Sequence, residues 1–151
     1  MTFLILYDKI RTGENEMKNR SELREIIMKV LYQVNILEET NLDYNVNDLI
    51  KEQIEIQNEF VNNTINEVIS KQKEINDLAN KYLKDWTIDR LNKVDQAILS
   101  LGIYELVYTD TPSIVAINEA IELSKKYSDE AVTKMLNGVL DSIYHSEENN
   151  E

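Results

Sequence analysis

The 151-residue sequence has no cysteine, only three glycines and a single proline. The absence of cysteine excludes a disulfide framework, a cysteine-based zinc site and a thiol nucleophile. Scarce glycine and proline argue against a sheet protein, because tight β-turns depend on both residues. A chain of this length buries enough surface to fold without a metal or a disulfide. The expected fold class is therefore all-α.

Long apolar runs are also missing, since none approaches the roughly 20 residues that cross a bilayer. TFLILY at residues 2–7 is short and lacks the basic segment that precedes a signal-peptide core. We expect a cytoplasmic protein with no membrane partner. Residues 1–16 are expected to be a non-native or disordered extension, because GENEM at 13–17 can be encoded by a purine-rich run like a ribosome-binding site before Met17. Residues 147–151 are expected to be a disordered tail.

Catalytic groups are few. The one histidine, His145, lies near the C-terminus, where a surface position is typical. A metal site in a helical bundle uses Glu-x-x-His pairs, and the sequence has none. Glu119 and Glu122 are interpreted as part of a solvated helix face. The sequence also lacks a glycine-rich phosphate loop. We therefore predict no catalytic site, no metal site and no cofactor, and hence no enzyme.

Apolar residues recur at intervals of three and four along most of the chain, which predicts about six or seven helices. Asn19 and Glu22 have the spacing of a capping box at the start of the first helix. A break is predicted within residues 70–73. Residues 17–146 are expected to form a compact bundle of two packed helical subdomains, about 17–84 and 85–146, that divide near Trp86.

Two further residues predict local structure in the second half of the chain. Gly102 lies in a helix that is apolar on most sides, so we expect a neighbouring helix to approach closely there. Ser128 precedes two acidic residues and is the predicted N-cap of the last helix.

The formal net charge of −12 argues against a freestanding nucleic-acid binder and favours a basic protein partner. The start of the first helix is an exception, with Lys18, Arg20, Arg24, Lys29 and the nearby Tyr32. Arg20 and Arg24 share a helix edge, and Lys29 is expected near their face. Arginine can grip a phosphate, and a tyrosine ring can stack on an unpaired base. An ordinary helix surface is the alternative interpretation.

Several blocks of the sequence resemble the NusB transcription antitermination factors. In this order they are RSELREIIMKVLYQ, YLKDW, DRLNKVDQAILSLGIYEL, VAINEAIELSKKYS and LNGVLDSI. The resemblance implies an all-helical fold of two subdomains that binds the boxA element of nascent ribosomal RNA transcripts. It also implies a heterodimer with the ribosomal protein NusE, which joins other Nus factors on RNA polymerase to resist termination. Some relatives form homodimers instead.

The resemblance also implies roles for individual residues. Ser21 and Glu22 stand where relatives often have arginine, which predicts weaker RNA binding. Tyr32 is a candidate for base contact, with core packing as the alternative. The residues implied in RNA binding are Lys18, Arg20, Arg24, Lys29, Tyr32 and Lys134, and those implied in partner binding are Asp95 and Met135.

Two other functions stay open at this point. The chain could be a helical adaptor that docks a basic protein with little RNA binding of its own, since its arginines are few. It could also be an RNA-binding module related to rRNA cytosine methyltransferases, which carry a similar helical domain.

Overall fold

The computed structural model describes residues 18–147, and within that range it contains seven α-helices, one 3₁₀ turn and no strand. The predicted all-α class and helix number are confirmed. The proposed extension at 1–16 and the end of the tail lie outside the described residues, whereas Glu147 is the last residue of a helix. The elements are α1 Arg20–Glu39, α2 Val46–Gln53, α3 Glu59–Ser70, α4 Gln72–Tyr82, the 3₁₀ turn Ile88–Arg90, α5 Lys93–Tyr108, α6 Ser113–Tyr127 and α7 Glu130–Glu147.

Helix α1 begins at the predicted capping box. The Asn19 side-chain oxygen accepts a hydrogen bond from the Glu22 amide at 2.8 Å, and the Glu22 carboxylate accepts one from the Asn19 amide. Reciprocal bonds of this kind satisfy two of the amides that a helix start leaves unpaired. The apolar face of α1 is buried, and α2 packs against α1. Asn41, with φ of 55°, adopts the left-handed conformation just after the helix ends.

The described chain forms two compact units, and the boundary between them falls within α3, after Ile65. The first unit contains α1, α2 and the start of α3, and the second begins at Asn66. The sequence placed the division near residue 84 instead, at the turn before Trp86. Helix α4 packs against α5 and α7, and these contacts associate it with the second unit.

Helix α5 is the centre of the second unit. Every residue from Ala97 to Leu106 is buried, and α6 and α7 pack on α5 and on each other. A Cβ atom on Gly102 would lie 3.1 Å from the Ala120 Cβ and 3.2 Å from the Leu140 methyl carbons. The close approach predicted at Gly102 is therefore confirmed, because a Cβ atom there would be tighter than ordinary contact with both neighbours.

Two predictions about helix ends have different outcomes. The break predicted at residues 70–73 is confirmed, because α3 ends at Ser70 and α4 begins at Gln72. The prediction that Ser128 caps the last helix is wrong. The Asp129 carboxylate accepts the hydrogen bond from the Val132 amide at 2.8 Å, so Asp129 is the N-cap. Ser128, between α6 and α7, instead hydrogen-bonds the side chain of Asp95 in the first turn of α5.

Within residues 18–147, no helix is long and apolar enough to cross a membrane. The same part of the chain has no group of three or more histidine, aspartate and glutamate side chains that could hold a metal ion. His145 is exposed, and its Nε2 atom lies 3.4 Å from the Asp141 carboxylate one turn earlier. This contact places His145 on a helix surface.

Candidate nucleic-acid interface

The basic residues at the start of α1 point in two directions. An α-helix has 3.6 residues per turn, so the nine residues from Arg20 to Lys29 make about two and a half turns. Arg20 and Arg24 therefore share one edge, Lys29 lies on the opposite side, and Tyr32 lies between them. The expectation that Lys29 lies near the arginines is wrong. Because α1 is one continuous helix from Arg20 to Glu39, the nine-residue spacing puts Lys29 on the side away from Arg20.

Lys18, just before α1, and Lys29 on the solvent side of α1 are each close to a carboxylate. Lys18 Nζ lies 3.9 Å from Glu22, and Lys29 Nζ lies 3.9 Å from Glu25. The positive charge of this face is therefore locally balanced. Tyr32, between this face and the arginine edge, is 39% exposed, so its ring is accessible rather than enclosed in the core.

The two arginines meet an aromatic ring from another helix of the first unit. The Arg20 Cζ atom lies 3.8 Å from the centroid of the Phe60 ring, and the Arg24 Cζ atom lies 5.7 Å from it. A guanidinium over a ring face is attracted by the negative charge of the π-system. Arg20 is exposed, whereas Arg24 is only 5% exposed and so presents little surface to a ligand.

The second unit brings the two predicted partner-binding residues together. Asp95 at the start of α5 and Met135 on α7 line one surface groove with a volume of about 270 Å³. Trp86, which is 50% exposed, lies at the same groove. We call this the Asp95 groove. It is lined by Trp86, Arg90, Leu91, Asn92, Asp95, Ala131, Val132 and Met135.

Asp95 is 1% exposed, and burial raises the pKa of its carboxyl group above the ordinary value. Hydrogen bonds with Ser128 and Asn92 lower this pKa, while the negative charge of Asp129 raises it further. Among the described residues, the Asp95 Oδ1 atom has no hydrogen-bond partner. A buried oxygen of this kind costs stability unless something donates to it.

Lys134, the remaining residue predicted to bind RNA, lines a neighbouring groove of about 350 Å³ between the end of α6 and the start of α7. Its Nζ atom lies 3.8 Å from Glu130, and both side chains are exposed. Lys125 at the same groove is 3.5 Å from Glu122. Ser128 lines this groove and bonds Asp95, so the two grooves are adjacent.

Sequence reasoning missed several residues of these sites, among them Phe60 and Arg90. Phe60 is one of only two phenylalanines in the chain, and its position next to Arg20 follows from how α3 packs, which no local pattern reveals. Arg90 lies in the 3₁₀ turn at the Asp95 groove. Its proximity to Trp86 in the sequence is the only signal that could have found it.

A sequence model described as the NusB family matches residues 21–145 of this chain. The transcription antitermination protein NusB of Macrococcus caseolyticus is 40% identical over 127 residues, which cover 83% of this chain and 95% of that protein. The protein of the same name from Methylacidiphilum infernorum is 38% identical over 130 residues, covering 84% and 91%.

Solved structures with the same fold include T. maritima NusB. It has a TM-score of 0.74 and 31% identity, with 85% of this chain and 92% of that chain covered. Another is the complex of antitermination factors NusB and NusE with double-stranded RNA. It has a TM-score of 0.72 and 29% identity, with 86% of this chain and 98% of that chain covered.

Proposed function

The chain belongs to the NusB family, and from this premise we propose that it binds the boxA RNA of nascent ribosomal transcripts as a heterodimer with NusE. Its function is transcription antitermination rather than catalysis. The observation that carries the proposal is the similarity to a NusB chain in a complex with NusE and RNA. RNA and NusE are therefore its partners.

The proposal assigns RNA contacts mainly to side chains that solvent can reach. On α1 these are Arg20, Lys29 and Tyr32, preceded by Lys18. Lys134 is the proposed contact in the second unit. Arg24 stays in the proposed set, although its burial points to a supporting role. Arginine and lysine supply charge to phosphates, and Tyr32 supplies a ring on which a base can stack.

NusE is proposed to contact Asp95 and Met135 at the Asp95 groove. This groove combines an exposed tryptophan with a methionine, and both residue types are enriched at protein interfaces. A hydrogen-bond donor from NusE would satisfy the Asp95 Oδ1 atom if the groove opened slightly to admit it. The acidic chain suits a basic ribosomal protein, because charges of opposite sign raise the rate of encounter.

The proposal extends to the assembly in which the heterodimer acts. We propose that it joins other Nus factors on RNA polymerase, in the cytoplasm, and helps the enzyme resist termination. A homodimer is proposed as the state without NusE. Gel filtration across a concentration range would test the homodimer, since its elution volume should change with dilution.

The function is tested by titrating labelled boxA RNA with this protein, alone and with NusE, across a series of salt concentrations. We expect weak binding by the chain alone and much tighter binding with NusE, because the net charge of −12 opposes RNA. A scrambled RNA of equal length is the control. Equal affinity for both RNAs, or no effect of NusE, would contradict the proposal.

A docking adaptor without its own RNA contact is the second candidate. The ion pairs that balance Lys18, Lys29 and Lys134 favour it. In that case NusE would bind normally, and Arg20→Ala would leave the RNA affinity of the complex unchanged. The methyltransferase-module alternative is less well supported, because the relatives matched over nearly their full length are antitermination proteins.

A further inference from the structure

We propose that Phe60 is a positioning residue for RNA binding, because its ring holds the Arg20 guanidinium in one orientation on the surface of the first unit. The Cζ atom of Arg20 lies 3.8 Å from the ring centroid. This inference rests on the proposed function, since it concerns how the same surface grips RNA. It assigns a role to a residue that makes no RNA contact itself.

The contact leaves Arg20 able to bind a phosphate. A guanidinium has N–H donors along its edge, and a ring beneath its face does not use them. Two of these donors can reach two phosphate oxygens at once. Arg20 therefore keeps its N–H donors for RNA while the Phe60 ring contacts the face of its guanidinium.

The partner of Arg20 also differs in kind from the partners of the nearby lysines. Lys18 and Lys29 each lie beside a carboxylate, which a phosphate must displace. Within the described part of the chain, the contact of Arg20 is with a neutral ring. Among the residues from Lys18 onward that the structure describes, a phosphate need not displace a carboxylate from Arg20, so we expect this residue to keep more of its charge for RNA.

The capped start of α3 holds the backbone that carries Phe60. The Asn58 side-chain oxygen accepts a hydrogen bond from the Val61 amide at 3.0 Å, which caps this helix. Phe60 lies in the first turn, two residues after the cap. The buried Arg24 guanidinium, 5.7 Å from the ring centroid, occupies space next to the same ring.

An arginine that is held before RNA arrives loses less side-chain freedom on binding. An exposed cation–π contact is modest in strength, so removal of the ring should weaken RNA binding by roughly two- to fivefold. Phe60→Leu keeps an apolar side chain but removes the ring, while Phe60→Tyr and Phe60→Trp keep a ring. We expect the leucine variant to bind more weakly and the other two to bind normally.

The test is a double-mutant cycle, with affinity for labelled boxA RNA measured in the presence of NusE. The four proteins are the wild type, Phe60→Leu, Arg20→Ala and the double variant. We expect Phe60→Leu to weaken binding in the wild type and to have no further effect once Arg20 is alanine. The salt dependence should fall with Arg20→Ala and change little with Phe60→Leu, because only the first removes a charge.

The controls separate this inference from a general loss of structure. Tyr44→Leu removes another partly buried aromatic ring from the first unit and should leave RNA affinity unchanged. Circular dichroism establishes that each variant is folded, and Phe60→Met replaces Phe60→Leu if the latter is not. If Phe60→Leu weakened RNA binding equally in the wild type and in the Arg20→Ala variant, or weakened it in neither case, the inference about Phe60 would be overturned and the proposed function would stand. Absence of RNA binding by the wild-type complex would overturn the proposed function as well.

Discussion

Among single residues, Asp95 has surroundings that suit a charged group poorly. Its carboxylate is buried, lies near the negative Asp129, and has one oxygen without a hydrogen-bond partner among the described residues. Such an arrangement costs folding free energy, which a residue kept only for packing would not need. Departures of this kind are expected at binding sites, where a partner supplies what the free protein lacks.

Asp95→Asn is therefore expected to stabilise the protein at neutral pH by on the order of 1 kcal/mol, because it removes a buried charge. Burial raises the folded-state pKa of Asp95 above its ordinary 3.8. The charged form thus lowers the free energy of unfolding above the raised pKa, and this penalty vanishes below pH 3.8, where both states are protonated. Urea unfolding of both proteins across this pH range measures the difference.

Asp110→Asn is the matched control, since this exposed aspartate between α5 and α6 should change stability by less than about 0.5 kcal/mol. The same Asp95→Asn protein is expected to bind NusE more weakly. An Asp95→Asn variant that is less stable than the wild type at pH 7 would contradict the argument from burial.

The two arginines of α1 should respond differently to truncation. Arg24→Ala removes a buried side chain, so it is expected to lower the free energy of unfolding by roughly 1–3 kcal/mol. Arg20→Ala should leave stability nearly unchanged but reduce the salt slope of RNA binding by about one unit. Urea unfolding and RNA titration of both variants provide the comparison. A loss of stability with Arg20→Ala and a smaller salt slope with Arg24→Ala would show that Arg20 is not the phosphate contact.

At the scale of helices, two glycines form a natural pair for comparison. Gly102 in α5 faces Ala120 and Leu140, whereas a Cβ atom on Gly138 in α7 would meet nothing within 4 Å. Ala120 is held by its own helix, so it cannot yield as a flexible side chain does. The same substitution should therefore have opposite effects at the two positions.

Gly102→Ala is expected to destabilise the protein by about 1 kcal/mol, since overpacking outweighs the gain in helix propensity. Gly138→Ala should stabilise it by roughly 0.5–1 kcal/mol, because alanine favours the helix and adds no clash. Thermal or urea unfolding of both variants measures these changes. A stabilising effect at both positions would mean that α6 and α7 can move away from Gly102.

A polar cluster joins α4 to the end of α7. The Glu147 carboxylate accepts hydrogen bonds from the Tyr82 hydroxyl at 2.6 Å and from Lys81 Nζ at 3.2 Å, and these partners lower its pKa. The cluster therefore stabilises the fold above pH 4.5, the ordinary pKa of a glutamate, and this stabilisation is lost as pH falls through the lowered pKa of Glu147.

Glu147→Gln should speed amide hydrogen exchange in the last turn of α7 at pH 7, because it removes the charge that Tyr82 and Lys81 bind. Ser146→Ala is the control, and equal exchange in both would argue against a role for the cluster.

The sequence predicted those parts of the fold that depend on local chemistry. The capping box at Asn19 and the break after Ser70 depend on neighbours within a few residues, and both are confirmed. The sequence cannot separate Ser128 from Asp129 as the cap of α7, because both are good N-caps; in the structure Ser128 ends α6, with its amide bonded to the Ser124 carbonyl, and Asp129 caps α7. The Phe60 contact depends on residues that are 40 positions apart, so no local pattern could have revealed it.

At the scale of the whole molecule, the net charge of −12 dominates long-range interactions. It attracts a basic partner and repels RNA, so NusE should both bind this chain and supply positive charge that it lacks. We expect the association rate with NusE to fall by at least about tenfold between low and high salt, while dissociation changes less. Stopped-flow mixing measures both rates. A nonionic osmolyte should leave association unchanged, and a rate that is indifferent to salt would contradict steering by charge.

The ion pairs on the solvent side of α1 have a consequence for selectivity. A phosphate that binds Lys18 or Lys29 exchanges places with Glu22 or Glu25, which stays tethered to the helix one turn away. These lysines therefore act as a weak ion exchanger with counterions built into the chain. Because the displaced carboxylate would continue to repel the phosphate, we expect an RNA held only at this face to dissociate readily. We expect an RNA that is also bound elsewhere to be retained, which would favour cognate over transient contacts.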